Sequence, residues 1–138
     1  MSFTYPQKVL FKHCDPAGIV FYPRYFEMIN DCVETFFDEV LVAPFSEIHP
    51  DSGVPTAEIS TRFLAPSRLG DDLKLTLEVI KIGGSSMRLS IRASCDQEVR
   101  FEASSTLVFV NEKGKPQKWP ETIRAKIHLF MEDGENEE

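Results

Sequence analysis

The segment His13-Cys14-Asp15-Pro16-Ala17-Gly18-Ile19-Val20-Phe21-Tyr22-Pro23 places an imidazole, a thiol and a carboxylate just ahead of a helix start. Pro23 suits the first helical position, where its missing N–H removes no intrahelical bond. Free N–H groups at such a start, together with the helix dipole, favour negative charge developing on an oxygen, as an oxyanion hole must. A carboxylate at Asp15 can attack an activated acyl carbon or direct a water at it. Gly18 lets backbone approach a ligand closely. Turn chemistry by itself gives Asp15-Pro16-Ala17-Gly18 a second reading as a plain reversal of the chain, because Asp, Pro and Gly are common turn residues.

The thiol and the imidazole invite a cysteine-nucleophile reading. On an extended segment, neighbouring side chains point to opposite faces, so Cys14 is expected to face away from His13 and Asp15 and to fill space. His13 and Asp15 then share a side, where the imidazole can tune the carboxylate or hydrogen-bond to a substrate. Metal chemistry has no signature, since His13, His49 and His128 are scattered and no paired-cysteine motif exists. No cofactor is implied, because the glycine-rich nucleotide motifs are missing as well. Glu27, Glu34 and Glu39 form another acidic set, with solvation of an exposed helix face as their simplest role.

These residues need elements to hold them, and the hydrophobic periods supply the elements. Residues 5 to 13, with Val9 and Phe11 opposite Lys8 and Lys12, predict a half-buried strand. From Pro23 the period changes: Phe26, Ile29, Val33, Phe36, Phe37 and Val40 form the stripe of an amphipathic helix that Pro44 ends. Four alternating segments follow. Their inner faces are predicted as Ala57, Ile59, Thr61, Phe63; then Leu73, Leu75, Leu77, Val79; then Met87, Leu89, Ile91, Ala93; then Val99, Phe101, Ala103, Leu107, Phe109. Gly83-Gly84 and Cys95-Asp96-Gln97 make the turns between them. A weaker helix is expected from about Pro120 to Met131, and Trp119 as a strand-end or interface anchor.

One-sided alternation with short turns means an antiparallel sheet whose inner face one long helix must cover. That layout is α+β, a hot-dog fold with the sheet wrapped around a central helix. Open sheet edges are commonly closed by a second copy, so at least a dimer is expected.

With 138 residues and 42% hydrophobic side chains, the chain is long enough for one well-cored domain, expected over residues 1–131. Residues 132–138 carry five acids and no base, which leaves −2 for the rest of a chain of net charge −7. That acidic block is expected to be a solvated tail. A near-neutral body without a Lys/Arg cluster argues against nucleic acid, and no apolar run is long enough to span a membrane. Three cysteines leave an odd thiol under any pairing, which fits a reducing, cytoplasmic setting.

The run from Asp15 through Tyr25 closely resembles the 4-hydroxybenzoyl-CoA thioesterase family of hot-dog enzymes. Phe63-Leu64-Ala65-Pro66, Gly70-Asp71-Asp72-Leu73 and Gly84-Ser85-Ser86 resemble that family's later signatures in the same order, so the likeness covers about residues 5–110. The resemblance implies an acyl-CoA thioesterase acting on a small or aromatic acyl group without a cofactor, as a homodimer or homotetramer. It implies Asp15 as the catalytic carboxylate, nucleophile or general base, with the Tyr22 N–H polarising the thioester carbonyl and Gly18 in the same turn. Asn30 stands where 4-hydroxybenzoyl-CoA hydrolysis uses an aspartate, so it can face the acyl pocket but supplies no charge. Ser85 and Ser86 stand where the family carries a basic cluster for the CoA phosphates, with Arg88 or Arg62 as charged alternatives. His13, Asn30, Ser85, Ser86 and Arg88 are thus the expected substrate-binding set. An enoyl-CoA hydratase and a non-catalytic acyl-CoA-binding or scaffold protein are the competing classes.

Overall fold

Leu73, Leu75 and Leu77 lose almost all contact with solvent, as do Met87, Leu89 and Ile91 across the next turn. Their alternation becomes the inner face of an antiparallel sheet. The computed structural model describes residues 1–49 and 51–136, with side chains through Glu132. Strands β1 (Phe3–Lys8), β3 (Thr56–Phe63), β4 (Asp72–Ile82), β5 (Ser86–Cys95) and β6 (Glu98–Val108) assemble in the order β1-β4-β5-β6-β3. Helix α1 (Pro23–Glu39) closes the core against them. The fold is α+β and of the hot-dog type.

Helix α1 starts at Pro23 as its sequence requires, and buries Tyr25, Met28, Ile29, Cys32, Val33, Phe36 and Phe37. The stripe is rotated slightly from expectation, because Phe26 and Val40 are only half-buried while Tyr25, Met28 and Cys32 join the core. Phe36 and Phe37 are wholly enclosed; burying one such side chain is worth about 1.5–3 kcal/mol. The chain leaves the helix through Val42 at φ 50°, with the Leu41 and Ala43 N–H groups donated back to Phe36 O and Phe37 O.

Several expectations need correction. The first strand stops at Lys8 instead of running to residue 13: residues 11–13 form a 3-10 turn and Phe11 is 82% exposed. The cause is local bonding, since Val9 pairs with Asp71 and Gly70, and the Leu10 N–H is donated to His13 Nδ1 at 2.9 Å. Strand β3 is exposed on both faces although its register sets Ile59, Thr61 and Phe63 beside Ser105, Ala103 and Phe101. It is an edge strand that α1 reaches only in part, through Tyr25 and Phe26 against Phe63. Trp119 is no interface anchor; it stacks on Phe109 at 5.2 Å inside the core.

Smaller elements join the frame: α2 (Phe45–Ile48), and a two-stranded sheet of β2 (Ser52–Gly53) with β7 (Val110–Asn111). Helix α3 spans Glu121–Asn136, past the expected end at Met131 and into the segment read as an acidic tail. Residues 137 and 138 of that segment lie outside the described residues. Among the described residues no helix is long and apolar enough to cross a membrane.

Candidate active site

Asp15, Gly18 and Tyr22 sit on one reversal between β1 and α1. Cys14 pairs with Val20 across it, and Asp15 N–H is donated to Ile19 O at 2.9 Å. The Asp15 carboxylate closes the turn from inside by accepting the Ala17 N–H on Oδ1 at 2.9 Å. This Asx turn is what Asp followed by Pro and Gly favours. Gly18 occupies φ 80°, a left-handed value that side chains other than glycine rarely tolerate. Asp15 itself is half-buried, and the fixed oxygen leaves Oδ2 as the more available one.

The helix start adds the donor. Pro23 has no N–H, and those of Arg24 and Tyr25 are donated to Phe21 O and Tyr22 O at 2.8 and 3.1 Å. Phe21 N–H goes to His13 O. Among the described residues no hydrogen bond engages the Tyr22 N–H, which leaves it the spare donor at this end of α1. Tyr22 is half-exposed and belongs to an aromatic group around Phe63, whose ring lies 5.8 Å from Tyr22, 5.9 Å from Tyr25 and 6.4 Å from Phe26.

His13 is buried, and its Nδ1 already accepts the Leu10 N–H. Burial first, then the charge of Lys12, pushes its imidazole below the ordinary histidine value. A neutral ring accepting at Nδ1 carries its proton on Nε2. With Lys12, Arg24, Glu27 and Asn30 it lines a cleft of about 530 Å³. Asn30 also lines a second cleft, of about 270 Å³, whose walls are Phe26, Ile29 and Val33 of α1 and Ile59, Ser105 and Leu107 of the sheet. Asp15 lines neither cleft of the single chain.

Cys14 is half-buried, with its thiol directed at Leu10 O at 3.6 Å, so it is not the enclosed filler expected of it. Glu27 pairs with Arg24 at 2.9 Å, and Glu34 and Glu39 are exposed, as a solvated face requires.

Ser85, Ser86 and Arg88 are not brought to Asp15 within one chain. The Asp15 turn lies against residues 67–71 at the start of β4, whereas Ser85 and Ser86 follow its far end. Eleven residues of strand separate the two places, roughly 35 Å at about 3.3 Å per residue. Ser85 O and Ser86 O are occupied by Phe109 N–H and Trp119 Nε1–H. Arg88 is exposed on the outer face, its Nε 3.4 Å from Ser104 Oγ.

Sequence reasoning missed the segment that backs the turn. Ser67 O accepts the Val20 N–H at 2.8 Å, and Ser67 Oγ accepts the Tyr25 hydroxyl at 2.8 Å. Its signal was the Gly70-Asp71 pair, which immediately precedes β4.

The thioesterase-like superfamily matches this chain over residues 9–127. A 1,4-dihydroxy-2-naphthoyl-CoA hydrolase of Nostoc punctiforme is 26% identical over 144 residues, spanning 100% of this chain and 95% of that protein. The crystal structure of a 1,4-dihydroxy-2-naphthoyl-CoA thioesterase from Synechocystis superposes with a TM-score of 0.85 at 20% identity, covering 93% of this chain and 96% of the other. A gentisyl-coenzyme A thioesterase structure gives a TM-score of 0.82 at 27% identity, covering 88% and 99%.

Proposed function

Because the chain belongs to the thioesterase-like superfamily, we propose that it hydrolyses an acyl-CoA thioester, with an aromatic acyl group preferred, to the free acid and CoA. The observation that carries this reading is the pairing, on one turn, of the Asp15 carboxylate with the unengaged Tyr22 N–H. In this mechanism the thioester carbonyl accepts the Tyr22 N–H, and the dipole of α1 favours the charge that develops on that oxygen. Asp15 Oδ2 either attacks the carbonyl carbon and expels the CoA thiolate, leaving an acyl-aspartyl anhydride that a water then hydrolyses to the free acid, or takes a proton from a water that itself attacks the carbon and expels the thiolate. Gly18 keeps the turn tight enough to hold both groups.

The acyl group is expected against Phe26, Phe63 and the apolar cleft beneath Asn30. Names of the relatives, which refer to hydroxylated aromatic acyl-CoA esters, support an aromatic preference. Asn30 can hydrogen-bond a ring hydroxyl without carrying charge, which argues for that class over 4-hydroxybenzoyl-CoA in particular. His13 Nε2–H offers a second donor in the neighbouring cleft.

A homodimer or homotetramer completes the site in this reading. The β3 edge is unpaired, and Ile59, Phe63, Leu64, Phe21 and Tyr22 leave apolar surface beside it. A second copy also offers the route by which Ser85, Ser86 or Arg88 reaches a CoA bound at Asp15. A thiol-release screen across aromatic, short and long acyl-CoA esters tests the proposal. Turnover is expected, highest for hydroxylated aromatic esters. Loss of enoyl-CoA without thiol release, or binding without turnover, would replace hydrolysis by one of the competing classes.

A further inference from the structure

Arg100, 8% exposed, is the one arginine or lysine buried among the described residues. By alternation it belongs on the outer face, between Val99 and Phe101. A register shift opposite Ala93 and Ser94 takes it out of the ladder, because Phe101 pairs with Ala93 and Val99 pairs with Ser94. The bulge turns the guanidinium toward residues 66–71. Its Nη1 donates to Asp71 Oδ2 at 2.7 Å and to Pro66 O at 3.1 Å. Nε lies 2.8 Å from Glu98 Oε1, at an angle that forms no hydrogen bond.

Asp71 is anchored in turn. Its Oδ2 accepts the Arg68 N–H at 2.9 Å, and that bond, then the Arg100 one, holds its carboxyl below the ordinary range. The segment so pinned is the one that grips the proposed site. Ser67 O takes the Val20 N–H, Gly18 O takes the Leu69 N–H at 3.4 Å, and Tyr25 of α1 bonds to Ser67 Oγ. A buried ion pair is a weak source of stability, since apolar replacements often fold as well or better. A fixed loop geometry is a better account of why a charge is enclosed here.

We propose that Arg100, through Asp71 and the Pro66 carbonyl, is a positioning residue that keeps residues 66–71 in register with the Asp15 turn and the start of α1. The inference rests on the hydrolase reading for its kinetic consequence. Its structural consequence stands apart from that reading. Lysine keeps a charge for Asp71 but on a flexible stem without the planar guanidinium that aims Nη1 at both acceptors, so Arg100→Lys should be a partial substitute.

The test combines kinetics of Arg100→Gln, Arg100→Lys, Asp71→Asn and the double variant with amide exchange. Expected are kcat losses of about 10- to 100-fold for Arg100→Gln and Asp71→Asn with KM little changed, as misplacement of reacting groups produces. Arg100→Lys should recover part of kcat, and the double variant should be no worse than the poorer single one. Exchange should quicken at the Val20 and Leu69 amides while β5 amides keep their protection. Unchanged kcat per folded molecule, or quickening spread evenly over the sheet, would overturn the proposal. If Arg100→Gln does not fold, Asp71→Asn decides by the same two readouts. If the parent protein releases no thiol from any ester, the hydrolase reading fails, and the exchange pattern alone decides the positioning role.

Discussion

Strands β5 and β3 carry the same alternation of residue types, and only β5 has a buried face. In β5, Met87, Leu89, Ile91 and Ala93 are fully enclosed, whereas Ile59 and Phe63 of β3 remain 38% and 46% exposed. Their place in the sheet makes the difference. Strand β5 lies between β4 and β6, and β3 ends the sheet, where α1 covers it only in part. Alternation therefore encodes which face a residue takes, and position in the sheet decides whether that face is enclosed. The enclosed region supplies stability; the open one, beside Tyr22, keeps apolar surface exposed, which is where the proposed function sets the acyl group and a second copy.

The largest effect that separates the regions is on stability. Leu89→Ala removes packing from the enclosed face and should cost about 2–5 kcal/mol in urea denaturation. A cost near zero would mean that β5 is no more essential than β3. The next test turns the comparison round. Ile59→Lys places a charge on the open strand and should halve the mass seen by light scattering while far-ultraviolet circular dichroism stays native. A native mass with this variant would remove β3 from the proposed interface.

The smallest effect concerns His13, the buried imidazole in the turn between β1 and α1. Its folded-state pKa lies below the ordinary value of 6.5, so the unfolded chain binds the proton more readily. Its contribution to stability is therefore full above pH 6.5 and is lost as pH falls below that value toward the folded one. His13→Asn keeps an acceptor for the Leu10 N–H but does not titrate. Urea midpoints between about pH 7.5 and 5 should slope less in this variant than in the parent; equal slopes would assign the acid sensitivity elsewhere.

Much of the frame was legible because periodicity is a backbone property: α1 and the inner faces of β4 and β5 follow from spacing alone. Asp15 and Gly18 stand out beside a helix start because turn chemistry and Pro23 act within a few residues, whereas Tyr22 is singled out by the family resemblance. Tertiary hydrogen bonds hid the rest. Phe11 and His13 fit an extended pattern until Val9 bonds to the 70–71 segment and the chain curls after it. Arg100 reads as an outward residue because a bulge leaves no mark in a pattern of polar and apolar letters. Ser85, Ser86 and Arg88 match a signature by order along the chain, which does not say at which end of β4 they finish.

The most direct test of the account is kcat for thiol release by Asp15→Asn beside Cys14→Ala, each with its melting temperature. A loss of at least about 100-fold in the first, with unchanged melting and near-parental turnover in the second, is the predicted result. Parental turnover by a folded Asp15→Asn protein would contradict it.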